Sequence, residues 1–124
     1  MKPKIASFFA GAGGLDLGFK KAGFDVAWAN EFDKAIHETY RQNHKKTVLD
    51  TRSINSIIPS DIPKEVSGII GGPPCQSWSE AGMRRGAEDH RGRLFFTYSD
   101  LIAAKRPHFF MAENVAGLFF AKNR

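Results

Sequence analysis

The lone cysteine of the chain lies in a segment that could carry a nucleophile. Cys75 follows two glycines and two prolines, in the run GGPPCQ at residues 71–76. Glycines allow a ligand to approach the backbone closely, and prolines restrict the turn that carries the sulfur. Because a preset geometry favours attack, we interpret Cys75 as a catalytic nucleophile. The alternative is a buried, unreactive cysteine, against which the polar and proline neighbours argue.

A carboxylic acid is expected close to this cysteine. Glu113 and Asn114 follow the apolar run Phe109–Ala112, which is typical of a strand. Since the carboxyl ends of parallel strands meet at one edge of a sheet, we expect Glu113 to lie near Cys75 and to act as a proton donor. The alternative is an acid that begins a helix and interacts with its dipole.

A glycine-rich turn forms a third candidate site. The run FAGAGGL at residues 9–15 follows a predicted strand and precedes a predicted helix. Glu31 comes about twenty residues after Gly11, where an acid can accept hydrogen bonds from ribose hydroxyls. Asp50, which follows the next predicted strand, could bind an adenine amino group. The GxGG spacing favours a phosphate-free nucleoside such as S-adenosylmethionine over a dinucleotide. The alternatives are a simple tight turn, a solvated acid at 31 and an ordinary turn residue at 50.

The hydrophobic pattern predicts the elements that would position these residues. Strands alternate with helices, which indicates the α/β class, with a mostly parallel sheet covered on both faces. A polar loop that follows residue 71 and reaches Arg93 is long enough to suggest a function. The predicted strands are Lys4–Phe9, Phe24–Asn30, Thr47–Leu49, Gly68–Gly71 and His108–Glu113, and the predicted helices are Leu15–Ala22, Asp33 (as the cap) to Asn43, and Leu94–Lys105, with a short turn or helix at Ser53–Ile58.

Composition excludes several classes of protein. The 124 residues suit one domain, and a single cysteine excludes an internal disulfide scaffold. No apolar run approaches the ~20 residues of a membrane span, and no export signal is evident, so we expect a cytoplasmic protein without a membrane partner. The net charge of +5 favours a polyanionic partner. The four histidines have no ligand spacing, and no metal site is predicted.

Taken in order along the chain, these motifs resemble those of the DNA (cytosine-5)-methyltransferases. The resemblance implies a Rossmann-like, S-adenosylmethionine-dependent methyltransferase fold with a parallel sheet of about five strands. The glycine turn is similar to the family's first motif, the segments around Glu31 and Asp50 to the second and third, the run at 71–76 to the nucleophile motif, and Glu113-Asn114-Val115 to the sixth. The cofactor contacts that the resemblance implies are Phe9, Gly11, Gly13, Gly14, Leu15, Glu31, Asp50, Thr51 and Pro74.

The implied reaction transfers a methyl group from S-adenosylmethionine to C5 of a cytosine flipped out of double-stranded DNA. Cys75 would add to C6 of the base, and Glu113 would protonate or hydrogen-bond N3. The run QSWSE at residues 76–80 looks most like HaeIII-type enzymes, which methylate GGCC sites in restriction–modification systems. The implied DNA contacts are Gln76, Ser77, Ser79, Arg84, Arg85, Arg91 and Asn114, although a charged loop can also be a solvated surface.

The family normally continues well beyond the sixth motif. We therefore expect residues 1–124 to be the N-terminal part of the catalytic domain, with the target-recognition domain absent and the sheet truncated before its final strands. We expect this chain alone to be inactive and to require a complementary C-terminal half or self-association through the exposed edge of the fifth strand. The alternatives are a non-catalytic remnant or subunit with a nucleoside-binding fold, and an RNA cytosine-5 methyltransferase.

Overall fold

The computed structural model describes residues 1–74 and 90–113, apart from the side chains of residues 90 and 91. Two short 3-10 turns connect the third and fourth strands of this part of the chain. In chain order the elements are β1 (Lys4–Phe8), α1 (Gly14–Lys21), β2 (Asp25–Asn30), α2 (Lys34–Asn43), β3 (Val48–Asp50), the turns Ile54–Ser56 and Pro59–Asp61, β4 (Val66–Gly71), α3 (His90–Lys105) and β5 (Phe109–Ala112).

The strands form one parallel sheet in the order β3-β2-β1-β4-β5. The chain winds outward from β1 to β3 and then returns to place β4 on the other side of β1. The carboxyl ends of β1 and β4 therefore lie side by side where the winding reverses, which is the usual ligand site of an open α/β sheet. The predicted α/β class and parallel sheet of about five strands are confirmed.

Two apolar layers cover the sheet. On one face, Phe8, Trp28 and Tyr98 form an aromatic cluster, with ring centroids 5.3 Å apart between Phe8 and Trp28 and 5.6 Å apart between Phe8 and Tyr98. Tyr98 comes from α3, so this helix covers that face. The other face buries Ile5, Val26 and Ile70 against residues of α1, which include Leu15 and Phe19. The helices are thus distributed over both faces, as predicted.

The observed ends of several helices and strands differ from the predicted ones, where the hydrophobic pattern gives no signal. β1 ends at Phe8 because Phe9 has a left-handed φ of +52° and leaves the strand. α3 begins at His90, four residues before the predicted start at Leu94. The prediction missed this first turn because its residues are polar and are typical of a loop. Arg91 therefore belongs to a helix and not to the predicted loop. β4 starts at Val66, two residues early, and β3 is shifted by one residue to Val48–Asp50.

The predicted start of α2 is confirmed by its capping contact. The Asp33 carboxylate accepts a hydrogen bond of 3.0 Å from the Ala35 N–H, as an N-cap residue should. Within the described ranges no helix has the length and apolar character needed to cross a membrane. Nor does the same part of the chain hold three or more His, Cys, Asp or Glu side chains grouped to bind a metal ion.

Candidate functional site

One carboxylate joins the ends of β1 and β2. Glu31 Oε1 accepts a hydrogen bond of 2.8 Å from the Gly11 N–H, and Oε2 accepts one of 2.8 Å from the Asp33 N–H. Glu31 therefore holds both the glycine turn and the start of α2. Each carboxylate oxygen can accept more than one hydrogen bond, so Glu31 remains able to bind ligand hydroxyls. The sequence-predicted pair Gly11 and Glu31 is brought together as an acid–backbone contact.

A cavity of about 390 Å³ opens beside Glu31. This volume lies in the range of small-molecule sites. An adjoining cavity shares Phe32 and Asp33 with it and extends to His37 and Thr51. Phe32 is 67% exposed, so an aromatic ring stands between the two cavities and is available to a planar ligand. The first cavity is lined by Phe9, Asn30, Glu31, Phe32, Asp33, Ser53, Ile54, Pro74 and Leu94.

Phe9 adopts a backbone conformation that is rare for a bulky residue. Its φ of +52° lies in the left-handed region, which carries a steric cost for residues other than glycine. The ring packs edge-on against Tyr98 of α3, with centroids 5.9 Å apart. Strained backbone of this kind clusters at functional sites, and here it lies at the wall of the cavity.

Asp50 lies at the carboxyl end of β3, and its carboxylate is bound by Arg52. Arg52 Nε is 3.0 Å from Oδ1 and Nη2 is 2.7 Å from Oδ2. The hydrogen bonds from the Arg52 side chain lower the pKa of Asp50, with a smaller contribution from the Arg52 backbone N–H. Asp50 is therefore an ionised acceptor. Its neighbour Thr51 lines the adjoining cavity.

The residues that begin α1 contribute through their backbone. Gly13 caps the helix with φ +93° and is buried. The side chain of Leu15 is partly buried and packs against the core cluster of Ile5, Val26 and Ile70. Because the first N–H groups of a helix have no partner within it, those of Gly14 and its successor are suited to an anionic group.

Glu113 lies against the backbone that leads to the cysteine. Its N–H donates to the Gly71 carbonyl at 2.8 Å, which continues the pairing of β4 with β5. A side chain at position 72 would begin 2.9 Å from Glu113 Oε1, so Gly72 permits the acid to approach. Cys75 follows Gly72 by three residues. The predicted catalytic residue Cys75 itself lies outside the described residues.

The predicted DNA contacts fall largely outside this part of the chain as well. For Arg91 the structure gives the backbone, in the first turn of α3, but not the side chain. The other predicted contacts outside the described residues are Gln76, Ser77, Ser79, Arg84, Arg85 and Asn114.

Sequence reasoning missed several residues of the cavity wall. Ile54 and Leu94 are apolar residues of distant segments that meet at the cavity, and no periodic signal joins them. Asn30 donates from Nδ2 to the carbonyls of Asp50, at 3.0 Å, and Arg52, at 2.8 Å, which fixes the end of β3 beside β2. Phe32 could have been found, since it is a large aromatic residue directly after the predicted ligand-binding acid.

Comparisons with known sequences agree with this architecture. Residues 3–124 match the family of C-5 cytosine-specific DNA methylases. Type II methyltransferase M.NgoPII of Neisseria gonorrhoeae is 57% identical over 115 residues, which are 93% of this chain and 34% of the relative. Type II methyltransferase M.FnuDI of Fusobacterium nucleatum is 52% identical over 120 residues, or 97% of this chain and 34% of the relative. The chain thus spans about a third of the length of the curated relatives it matches.

Solved structures share the fold. A protein described as a DNA modification methyltransferase from an Escherichia coli prophage superposes with a TM-score of 0.80 at 33% identity, covering 94% of this chain and 33% of that one. The Dnmt2 methyltransferase of S. pombe gives a TM-score of 0.74 at 19% identity, covering 98% and 36%. At that identity the second likeness concerns the fold alone.

Proposed function

The chain belongs to the C-5 cytosine-specific DNA methylase family, and from this premise we propose that it carries the cofactor-binding and nucleophilic groups of a DNA cytosine-5 methyltransferase of a restriction–modification system. The observation that carries the proposal is the Glu113 carboxyl, which lies against Gly72, three residues before Cys75. Three residues span at most about 11 Å, and this short reach supports the proposal that the thiol and the acid act together. The type II methyltransferases among the relatives support the same reaction.

The Glu31 cavity fits S-adenosylmethionine better than a dinucleotide. The Glu31 carboxylate can accept from both ribose hydroxyls, and the GxGG spacing of the turn, in place of GxGxxG, favours a nucleoside without a pyrophosphate. The rings of Phe9 and Phe32 and the side chain of Ile54 supply apolar surface for adenine. Asp50 is an ionised acceptor for the adenine amino group. When bound, this cofactor supplies an electrophilic methyl group.

The remaining proposed cofactor contacts are main-chain or wall contacts. The N–H groups at the start of α1 suit the cofactor's carboxylate. Pro74 lines the first cavity and Thr51 lines the adjoining one. In this assignment the proposed cofactor contacts are Phe9, Gly11, Gly13, Gly14, Leu15, Glu31, Asp50, Thr51 and Pro74.

Cys75 and Glu113 would activate the cytosine. The Cys75 thiolate adds to C6, while Glu113 donates a proton or a hydrogen bond to N3, and electron density passes to C5. Once C5 carries the methyl group, the C5 proton leaves to a base, Glu113 takes back any proton given to N3, and the C6–sulfur bond breaks to restore the ring and the thiolate. Because C6 is covered by its neighbours in a duplex, the base must leave the stack.

Double-stranded DNA is the proposed partner. The serines and arginines of the segment after Cys75, together with Gln76 and Asn114, would contact phosphates or bases. The resemblance of residues 76–80 to HaeIII-type enzymes favours GGCC as the site. Protection of methylated DNA from a nuclease that cuts GGCC would test this choice, and unchanged cleavage would contradict it.

Residues 1–124 are proposed as the N-terminal part of the catalytic domain. The edge strand β5 exposes Phe110 and Met111, which are 61% and 37% accessible. An exposed apolar edge favours pairing with a further strand, from a complementary segment or from a second copy. Mixing this chain with a C-terminal segment of a relative, followed by size-exclusion chromatography, would test the pairing. Separate elution of both would contradict it.

The experiment that tests the proposed function traps the cysteine adduct. Duplex DNA with 5-fluorocytosine is incubated with S-adenosylmethionine and with the protein that carries this chain, at its natural length. Because fluorine at C5 cannot leave as a proton does, the adduct should persist under denaturing electrophoresis. The Cys75→Ser variant should form none. An adduct of equal yield with Cys75→Ser, or an adduct on RNA but not on DNA, would overturn the proposal.

A further inference from the structure

A buried polar network lies beneath the glycine turn and has no part in the proposed chemistry. Asp16 of α1 is fully buried and accepts hydrogen bonds from Ser7 Oγ at 2.7 Å and from Tyr40 Oη at 2.5 Å. Tyr40 is also fully buried, and Ser7 is 1% exposed. The network joins β1, α1 and α2, the three elements whose ends surround the turn.

His44 extends this network to the turn itself. It ends α2, is 2% exposed, and stacks on Tyr40 with ring centroids 4.4 Å apart. Its Nδ1 is 2.7 Å from Lys20 Nζ. Since an ammonium can only donate, Nδ1 accepts, and we assign the ring proton to Nε2. The Nε2 edge of the ring faces the backbone of Gly13.

The contact with Gly13 is close enough to determine its conformation. A side chain at position 13 would begin 2.2 Å from His44 Nε2, so the ring lies directly on the backbone. The Gly13 N–H donates to the Ala10 carbonyl at 3.0 Å, and the Gly13 carbonyl accepts from the Leu17 N–H at 2.8 Å. Gly13 therefore closes the turn and begins α1. By contacting Gly13, His44 supports both the turn and the start of the helix.

We propose that His44 is a positioning residue of the cofactor site, which holds Gly13 in its left-handed conformation and thereby presets the turn at residues 10–14. A segment with three glycines samples many conformations and loses much entropy when it is ordered on binding. If His44 already holds the turn, and the Gly11 N–H already donates to Glu31, most of that entropy loss is avoided. The inference rests on the proposed function, because it assigns His44 to that same cofactor site.

The charge state of His44 should matter for this role. Burial, and then the nearby Lys20 cation, lower its pKa, while Asp16 and the hydrogen bond to Gly13 act in the opposite direction. Protonation of His44 would remove the acceptor on Nδ1, and the imidazolium would then repel the Lys20 ammonium. The ionisable groups that surround the ring are Lys20 and Asp16 from α1 and Tyr40 from α2. Lys20 also lines a cavity together with Lys2, Asp25, Lys45 and Lys46.

Titration calorimetry with S-adenosylhomocysteine tests the proposal on the natural-length protein. His44→Phe keeps the stacked ring and removes both ring nitrogens, and we expect about tenfold weaker binding. His44→Gln keeps a donor and an acceptor that do not titrate, and we expect recovery to within about threefold. The matched control is Ile62→Val, a buried change in the opposite apolar layer, which should lower stability without changing affinity.

A pH series separates positioning from a purely structural role. Wild-type affinity should fall as the pH decreases through the lowered pKa of His44, and the affinity of His44→Gln should fall less. If His44→Phe binds as tightly as wild type, the inference is wrong and the proposed function stands. If His44→Phe does not fold, equal pH profiles of wild type and His44→Gln lead to the same conclusion. If the wild-type protein binds no S-adenosylhomocysteine, the proposed cofactor site fails and this inference fails with it.

Discussion

Glu31 shows how a single side chain can both build a site and serve it. Its two oxygens accept from the backbone at Gly11 and Asp33, in separate segments that follow β1 and β2. Hydrogen bonds to an ionised carboxylate are stronger than those between neutral groups. The charge of Glu31 therefore stabilises the turn and also makes its carboxylate a strong acceptor for ligand hydroxyls.

The Glu31→Gln substitution should weaken cofactor binding. The amide would set an N–H donor against one of the two backbone N–H groups, so one hydrogen bond to a charged acceptor is lost. We expect S-adenosylhomocysteine affinity to fall by about 10- to 100-fold, measured by titration calorimetry. The matched control is Glu38→Gln on α2, whose carboxylate accepts from Gln42 at an exposed position. Binding by Glu31→Gln within about twofold of wild type would contradict this role.

His44 should make the folded state sensitive to acid. Because its pKa is lowered from 6.5 in the folded chain, the unfolded chain binds more protons between the two pKa values. This contribution to stability is fully present above about pH 6.5 and is lost as the pH falls toward the folded pKa. Urea unfolding at about pH 7.5 and about pH 5.5 should show a smaller loss for His44→Gln than for wild type. Equal losses would show that another group controls the acid sensitivity.

At the scale of elements, the glycines of β4 allow neighbouring side chains and strands to pack closely against it. A side chain at position 68 would begin 2.1 Å from the ring of Phe109 on β5, and one at position 71 would begin 2.9 Å from the Phe8 carbonyl oxygen of β1 and 3.0 Å from the Tyr98 hydroxyl. The glycines of β4 thus let the ring of Phe109 cross over the strand and bring β5, with Glu113 at its end, against the sheet.

The Gly68→Ala substitution should therefore destabilise the fold by about 1–3 kcal/mol, through crowding against Phe109. Replacing that ring as well, in Gly68→Ala/Phe109→Leu, should make the added cost of the alanine smaller than in the wild-type background. Gly18→Ala is the control, because a side chain there meets nothing within 4 Å and alanine is the better helix former. Urea unfolding measures all of these variants. An equal cost of Gly68→Ala in both backgrounds would rule out the Phe109 contact as the cause.

The sequence predicts the elements better than their ends and better than the site they build. The alternation of strands and helices and the Asp33 cap carry physical signals and are found as expected. The predicted role of Glu31 toward ribose hydroxyls stays a prediction, and its hydrogen bond to the Gly11 N–H was not foreseen. The polar first turn of α3 has no hydrophobic period to mark it. The left-handed Phe9 and the contribution of Leu94 to the cavity depend on tertiary packing, which no local pattern encodes.

At the scale of the whole molecule, the reversal of strand order brings two kinds of chemistry to one edge of the sheet. The cavity beside Glu31 lies where β1 and β2 end, and Glu113 lies where β4 and β5 end. Pro74 contributes to that cavity and immediately precedes Cys75. In the proposed function the cavity would hold the methyl donor and Glu113 would bind the base, and the net charge of +5 suits the proposed DNA partner.

The most direct test of this account is the identity of the methylated nucleoside. Duplex DNA is incubated with S-adenosylmethionine and the natural-length protein, digested to nucleosides and analysed by mass spectrometry. We expect 5-methylcytosine from the wild type and none above background from Cys75→Ser, while both proteins bind S-adenosylhomocysteine equally well. Methylation at the exocyclic nitrogen of cytosine or adenine, or equal yields of 5-methylcytosine from the two proteins, would contradict it.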